Sequence, residues 1–184
     1  MRISGATETN PTFLGKTAMF FLMISVIILF GTLTLAFIIT PTHIDKGFHV
    51  PAIFYLNTLF LIGSSVLLHL GYINRKTKPA RSMIRPAIWL GVLFLVFQVY
   101  GWYELFQSHG FASKGAEFAN PKMDYLYLLT GLHGLHLVGG LIFLAVVSRG
   151  YEGKSRKYFE MAVYFWHFLG ILWVYLLGVL ISNS

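Results

Sequence analysis

The strongest constraint in this sequence is the distribution of charge along it. Hydrophobic residues make up 56 % of the chain, and Asp, Glu, Lys and Arg are absent from five long gaps. The gaps lie between Lys16 and Asp45, Lys46 and Arg75, Arg85 and Glu104, Asp124 and Arg149, and from Glu160 to the end. Each gap can hold the roughly 18 to 20 apolar residues with which a helix spans a bilayer. The sequence therefore predicts an all-α integral membrane protein, a bundle of five transmembrane helices.

The predicted helices leave little chain for any other domain. We expect them at about 17–39, 51–73, 86–108, 124–147 and 160–182, in a single transmembrane domain covering residues 1–184. Pro51 and Pro86 are expected in first turns, where a missing N–H costs little. The N-terminus lacks the basic start and short apolar core of a cleaved signal, so we expect the first helix to be retained. Because the sequence has no Cys, disulfides, thiolate metal sites and thiol catalysis are excluded.

Basic residues concentrate in alternate connecting segments. Of the 14 Lys and Arg, 11 lie in the N-terminus, the second loop and the fourth loop, which share one side of the membrane. The other side holds Lys46, Lys114 and Lys122. The positive-inside rule then predicts an N-terminus inside and a C-terminus outside. We thus interpret the net charge of +7 as attracting anionic phospholipid headgroups and not nucleic acid.

Four histidines fall within the predicted spans, where an ionisable side chain is costly and indicates a function. His133 and His136 share one stripe of the fourth helix, whereas His69 and His167 lie at a similar depth on the second and fifth. A metal held by the first two would lack a third ligand and a nearby carboxylate. We interpret the histidines as neutral groups hydrogen bonded to a neighbouring helix, a partner subunit or a lipid headgroup.

Two other functions remain open on the residues alone. Histidines on one helix cannot reach both faces of a haem, so a b-type cytochrome anchor would use His69 and His167. A small transporter should show inverted repeats or broken helices around a polar cavity. We find no such repeat, and apart from Asp124 and Glu160 at the first positions of their spans, Glu104 is the one carboxylate within a predicted span.

Two sequence segments carry a family resemblance. TGLHGLH (130–136), followed by Gly139 and Gly140, and YFWHFLGILWVYLL (164–177) resemble the last two helices of subunit III of haem-copper cytochrome oxidases. The order of the matching pieces agrees along roughly residues 17–182. Shorter matching pieces are LNT at 56–58, Gln98, Tyr103 and Glu104.

The resemblance implies a non-catalytic subunit of an oxygen-reducing, proton-pumping complex in the aerobic respiratory chain. Members have five or seven transmembrane helices, and five correspond to the shorter form. The resemblance implies no haem or copper in this chain, because both belong to partner subunits. The implied partners are catalytic subunit I and a copper-binding or quinol-site subunit II, in a bacterial inner (plasma) membrane. A subunit-III-like protein of a quinol oxidase or nitric oxide reductase remains an alternative. The electron donor, cytochrome c or quinol, also remains open.

The resemblance also implies which residues matter and which roles are lost. No catalytic, cofactor-binding or metal-binding residue is expected. Small residues let membrane helices approach closely. The family's acidic positions on the first, third and fifth helices are occupied here by Val26, Gly101 and Gly170, so we carry over no proton role. The residues expected to pack against other subunits or lipid are His133, His136, His167, Trp166, Gly131, Gly134, Asn57 and Glu104.

Overall fold

Five long helices form the whole of the described structure. The computed structural model describes residues 11–41, 50–74, 79–108, 121–149 and 155–183, and no strand occurs in these ranges. The helices are α1 (Pro11–Ile39), α2 (Ala52–Ile73), α3 (Pro79–Ser108), α4 (Pro121–Arg149) and α5 (Ser155–Ser182). Each is long and apolar enough to cross a membrane. The prediction of an all-helical, multi-pass membrane protein is confirmed.

Several helices begin earlier than the apolar spans suggest. α1 and α3 begin at Pro11 and Pro79, not at about 17 and 86, and α4 begins at Pro121. Proline suits a first helical position because its φ is already helical and its missing N–H would have no partner there. Pro86 consequently lies inside α3, and Pro51 is the N-cap of α2. For Pro86 the prediction of a first-turn position was wrong, because the polar opening turns of α3 do not appear in a search for apolar spans. Pro51 lies directly before the first helical residue of α2, and its carbonyl oxygen accepts a hydrogen bond from the Phe54 N–H at 3.0 Å.

Helices α2 to α5 form a closed four-helix bundle, and α1 lies outside it. α2 packs against α3 and α5, and α4 packs against the same two helices. α1 contacts only α4 and α5 within the described ranges. The centre of the molecule is therefore built by α2, α3, α4 and α5.

Side-chain hydrogen bonds join α2 to α3 at two levels. Ser64 Oγ donates to the Ala87 carbonyl oxygen at 2.8 Å, and Asn57 Nδ2 donates to Gln98 Oε1 at 3.0 Å. Both polar pairs are buried. Such bonds contribute about 0.6 kcal/mol each on average in membrane proteins, so they orient the two helices more than they stabilise them.

Two indole groups add hydrogen bonds between other pairs of helices. Trp173 Nε1 on α5 donates to Thr58 Oγ1 on α2 at 3.0 Å, and Trp102 Nε1 on α3 donates to Thr130 Oγ1 on α4 at 2.9 Å. Each threonine hydroxyl in turn donates to the carbonyl oxygen four residues earlier in its own helix. Both hydroxyl groups are thus used as donor and as acceptor.

Candidate functional site

One aromatic side chain from each helix of the bundle meets at its centre. We call Phe54, Phe94, His133 and Trp173 the central aromatic cluster, and all four are 0 % exposed. The His133 ring stacks on Trp173 with centroids 5.3 Å apart, and Phe94 and Phe54 meet the same indole edge-on at 5.0 and 5.9 Å. Aromatic pairs of this kind contribute about 0.5–1.5 kcal/mol beyond the area they bury. Trp173 therefore links α2, α3 and α4 to α5.

His133 takes part in this cluster by packing. Neither of its ring nitrogens has a hydrogen-bond partner within the described part of the chain. A buried polar group without a partner costs about 1–3 kcal/mol, so the stacked and edge-on contacts have to offset that cost. The hydrogen bond to a neighbouring helix that the sequence suggested for His133 is not formed with any described residue.

His136 lies one turn further along α4 and has a different environment. Its Nδ1 donates to the Leu132 carbonyl oxygen of its own helix at 2.7 Å, and its ring is half-buried. Phe30 of α1 meets the rings of both His136 and His133, at 5.6 and 6.4 Å. His136 also lines a groove of about 500 Å³ between α1, α4 and α5, together with Gly139. The two histidines thus share Phe30 as a neighbour but have different surroundings.

Trp166 is inserted between α3 and α4 at two glycines. It is 0 % exposed, and its Nε1 has no hydrogen-bond partner among the described residues. A Cβ atom at Gly91 would lie 2.7 Å from Trp166 Cη2, and one at Gly140 would lie 3.4 Å from Trp166 Cε3. A Cβ at Gly91 would also lie 2.8 Å from Leu141 Cδ2, so side chains larger than hydrogen are excluded there unless both Trp166 and Leu141 move.

The other glycines of α4 are less crowded than the sequence suggests. At Gly131 and Gly134 the nearest atoms to an added Cβ are 4.0 Å away, and at Gly139 none lies within 4 Å. Close approach within this chain occurs instead at Gly91, and at Gly101, where a Cβ would lie 2.5 Å from Phe54 Cε1.

His69 and His167 come together between α2 and α5. Their ring centroids are 5.6 Å apart with the planes at 61°, so the similar depth assigned from sequence corresponds to a real contact. His167 Nε2 is buried and has no hydrogen-bond partner within the described residues. Both rings line an apolar groove of about 750 Å³, the α2–α5 groove.

The remaining expected site residues differ in burial. Asn57 is 0 % exposed and bonds to Gln98, whereas Glu104 is exposed on α3. Within the described ranges, no group of three or more His, Cys, Asp or Glu side chains is placed to hold a metal ion.

The family resemblance implies acidic residues at three positions, which are occupied here by Val26, Gly101 and Gly170. All three positions face other helices. Val26 is 4 % exposed, and Gly101 is buried against Phe54. Gly170 lines the α2–α5 groove, where an added Cβ would lie 3.5 Å from Ser65 Oγ. The positions thus belong to helix contacts in this chain.

Comparison with known proteins adds relatives along nearly the whole chain. The family model described as Cytochrome c oxidase subunit III matches residues 12–182. Cytochrome c oxidase subunit 3 of Thermostichus vulcanus is 32 % identical over 176 residues, covering 86 % of this chain and 82 % of that protein. The probable cytochrome c oxidase subunit 3 of Rickettsia prowazekii is 32 % identical over 151 residues, 75 % of this chain and 50 % of that protein. For the Spodoptera frugiperda cytochrome c oxidase subunit 3 the identity is 27 % over 146 residues, 74 % of this chain and 92 % of that protein.

Proposed function

Because this chain belongs to the cytochrome c oxidase subunit III family, we propose that it supports the assembly and stability of an oxygen-reducing, proton-pumping core without carrying out the chemistry itself. Membership makes it a subunit of a respiratory oxidase complex in the electron transport chain. The contribution of this chain to the complex therefore lies in the packing of its helices against one another and against neighbouring subunits.

The central aromatic cluster is the observation that carries this proposal. His133, the most buried of the intramembrane histidines, is surrounded by Phe94, Trp173 and Phe30. No titratable side chain of the described residues stacks on it. A histidine that ligates a metal or haem presents one ring nitrogen to it, and its other nitrogen almost always donates a hydrogen bond. Neither nitrogen of His133 has a hydrogen-bond partner among the described residues. His133 is packed on its faces and edges instead, which supports a structural role.

The partners follow from the family and from the surface of the bundle. We assign haem and copper to catalytic subunit I and to subunit II, which carries either copper or a quinol site. The exposed faces of α1 to α5 are apolar and suit contacts with those subunits and with membrane phospholipids. The split of basic residues supports an N-terminus inside and a C-terminus outside, in a bacterial inner membrane.

A b-type cytochrome anchor would place a haem between His69 and His167. The two rings contact each other edge to face, with centroids 5.6 Å apart, within the 4.5–7 Å range of directly packed aromatic rings. Such contact leaves no slot for a macrocycle between them. The geometry therefore favours the subunit III function over the haem-binding alternative.

The test is purification of the complex through an affinity tag on this chain. We expect the catalytic subunit to copurify with its haem and copper, and the chain, once separated, to lack a Soret band. Deleting the gene should leave oxygen reduction in fresh membranes while shortening the lifetime of the detergent-purified core. A reduced b-type spectrum from the separated chain, or a tagged chain that brings down no haem-copper subunit, would overturn the proposal.

A further inference from the structure

We propose that the α2–α5 groove binds one isoprenoid quinone in its oxidised form. A ring carbonyl oxygen accepts a hydrogen bond from the pair His69 and His167, and the isoprenoid tail lies along the apolar walls of the groove. The site is separate from any quinol site of a partner subunit and takes no part in oxygen reduction. It gives this chain a ligand of its own, beyond the assembly role proposed above.

The groove offers hydrogen-bond donors but no charge. Among the described residues that line it, none is Asp, Glu, Lys or Arg. A neutral imidazole carries one N–H donor, and His167 Nε2 is buried without a hydrogen-bond partner among the described residues. Because an ionised group without a counter-charge is costly inside a membrane, the groove favours an uncharged ligand that accepts hydrogen bonds. The carbonyl oxygens of a quinone ring meet both conditions, whereas a phosphate or a carboxylate brings a charge that the lining does not neutralise.

The polar groups of α2 are spaced to suit a ring with two carbonyl oxygens. Ser65 and His69 both line the groove, and residues four apart lie on one face of a helix, about 6 Å apart along its axis. A para-quinone carries its two carbonyl oxygens on opposite sides of one ring, at a comparable separation. On α5, an added Cβ at Gly170 would lie 3.5 Å from Ser65 Oγ. The absence of a side chain at Gly170 therefore keeps the Ser65 hydroxyl group accessible from the groove.

The remaining length of the groove is apolar and suits an isoprenoid tail. From His69 the groove extends along α2 to Thr58, about 16 Å at 1.5 Å per residue. Its walls include Ile62, Val66 and Val174. Its volume of about 750 Å³ lies within the roughly 300–1,000 Å³ of small-molecule sites, which combine mostly apolar walls with a few polar groups that orient the ligand. The groove thus has a polar end for the ring and an apolar length for the tail.

The depth of the histidine pair also favours an uncharged ring. Both histidines lie inside the apolar spans of their helices. His69 precedes Ile73, the last residue of α2, by about 6 Å along the helix axis, and His167 follows Lys157 on α5 by about 15 Å. A phospholipid headgroup stays in the polar interfacial region outside the hydrocarbon core, whereas an uncharged quinone ring enters the hydrocarbon region.

The experiment is a binding titration of the purified oxidase complex in mild detergent, read by native mass spectrometry. The probe is oxidised ubiquinone with two isoprene units. We expect the complex that contains this chain to bind one more saturable equivalent than the complex that lacks it. The same spectra show whether this chain is assembled with the haem-copper subunits, so failure of quinone binding is distinguished from failure of the proposed subunit function.

Variants of this chain locate the site. The double variant His69→Phe/His167→Phe keeps both rings but removes their donors, and it should bind the additional quinone at least tenfold more weakly, a difference of about 1.4 kcal/mol. Gly170→Leu fills the groove and should abolish the additional equivalent. The matched control Gly178→Leu adds the same side chain to α5 where nothing lies within 4 Å of an added Cβ, and it should bind like the unmodified complex.

Three outcomes would overturn the proposal. The first is absence of the additional equivalent from the unmodified complex, which decides the question even if a variant fails to assemble. The second is unchanged quinone affinity in an assembled double histidine variant. The third is a phospholipid that Gly170→Leu displaces while quinone binding persists, because the groove would then hold a different ligand.

Discussion

Gly101 offers the most direct test of how α2 and α3 are held together. A Cβ atom there would lie 2.5 Å from Phe54 Cε1 and 2.9 Å from Ile53 Cγ2. Phe54 cannot move away easily, because it is 0 % exposed and its ring meets Trp173 at 5.9 Å. Trp173 in turn is fixed by its hydrogen bond to Thr58. Gly101→Ala should therefore strain the central aromatic cluster.

The magnitude follows from two opposing terms. Overpacking a filled core typically costs about 1–3 kcal/mol, while replacing Gly by Ala inside a helix gains about 0.5–1 kcal/mol. Gly139→Ala is the matched control, because Gly139 is also within a helix and nothing lies within 4 Å of its added Cβ. The helix term is shared by the two variants, so the difference between their unfolding free energies should be about 1–3 kcal/mol, with Gly101→Ala the less stable.

The assay is unfolding of the purified chain in mixed micelles of increasing SDS fraction, followed by far-UV circular dichroism and tryptophan fluorescence. Gly101→Glu, which introduces the family's acidic side chain, should be worse than Gly101→Ala because it buries a carboxylate against Phe54. If Gly101→Ala matches Gly139→Ala in stability, Phe54 moves without cost and the packing argument is wrong.

Three further predictions concern assembly, topology and proton handling. The double variant His133→Ala/His136→Ala should lose this chain from the detergent-purified complex, because truncating a buried ring costs about 3–5 kcal/mol. Haem and metal per remaining core should be unchanged, and a retained chain with a missing haem or metal would show that these histidines are ligands. A fluorescent protein that folds only in the cytoplasm should stay dark when fused after Ser184; bright cells would place the C-terminus inside. Because Val26 is 4 % exposed, Val26→Leu should cost about 1–3 kcal/mol of stability by overpacking. Oxygen turnover and proton pumping should nevertheless stay nearly unchanged, since the position carries no carboxylate. Weak pumping by an intact Val26→Leu complex would reveal a role for this position that packing does not explain.

The sequence predicts the helices well because charge is excluded from a bilayer interior along a whole span. It predicts their rotation poorly, because apolar residues face both lipid and neighbouring helices, so no polar face marks the outside. No pattern in the sequence therefore indicates that Trp173 links the bundle or that Gly91 accommodates Trp166. The depth of a residue can be counted along a helix, which is why the proximity of His69 and His167 could be anticipated.

The position of α1 has a consequence for how the protein is made. Within the described ranges, this helix contacts only α4 and α5, which follow α2 and α3 in the chain. α2 and α3 can pair as soon as both are inserted, but α1 must wait in the membrane until α4 and α5 have been synthesised. Its side chains face lipid during that interval, and α1 is the most apolar of the five spans. Of the five described helices, α1 is therefore translated before the others but docks only after α4 and α5 are in place, and it must be stable in the bilayer before these helices pack against it.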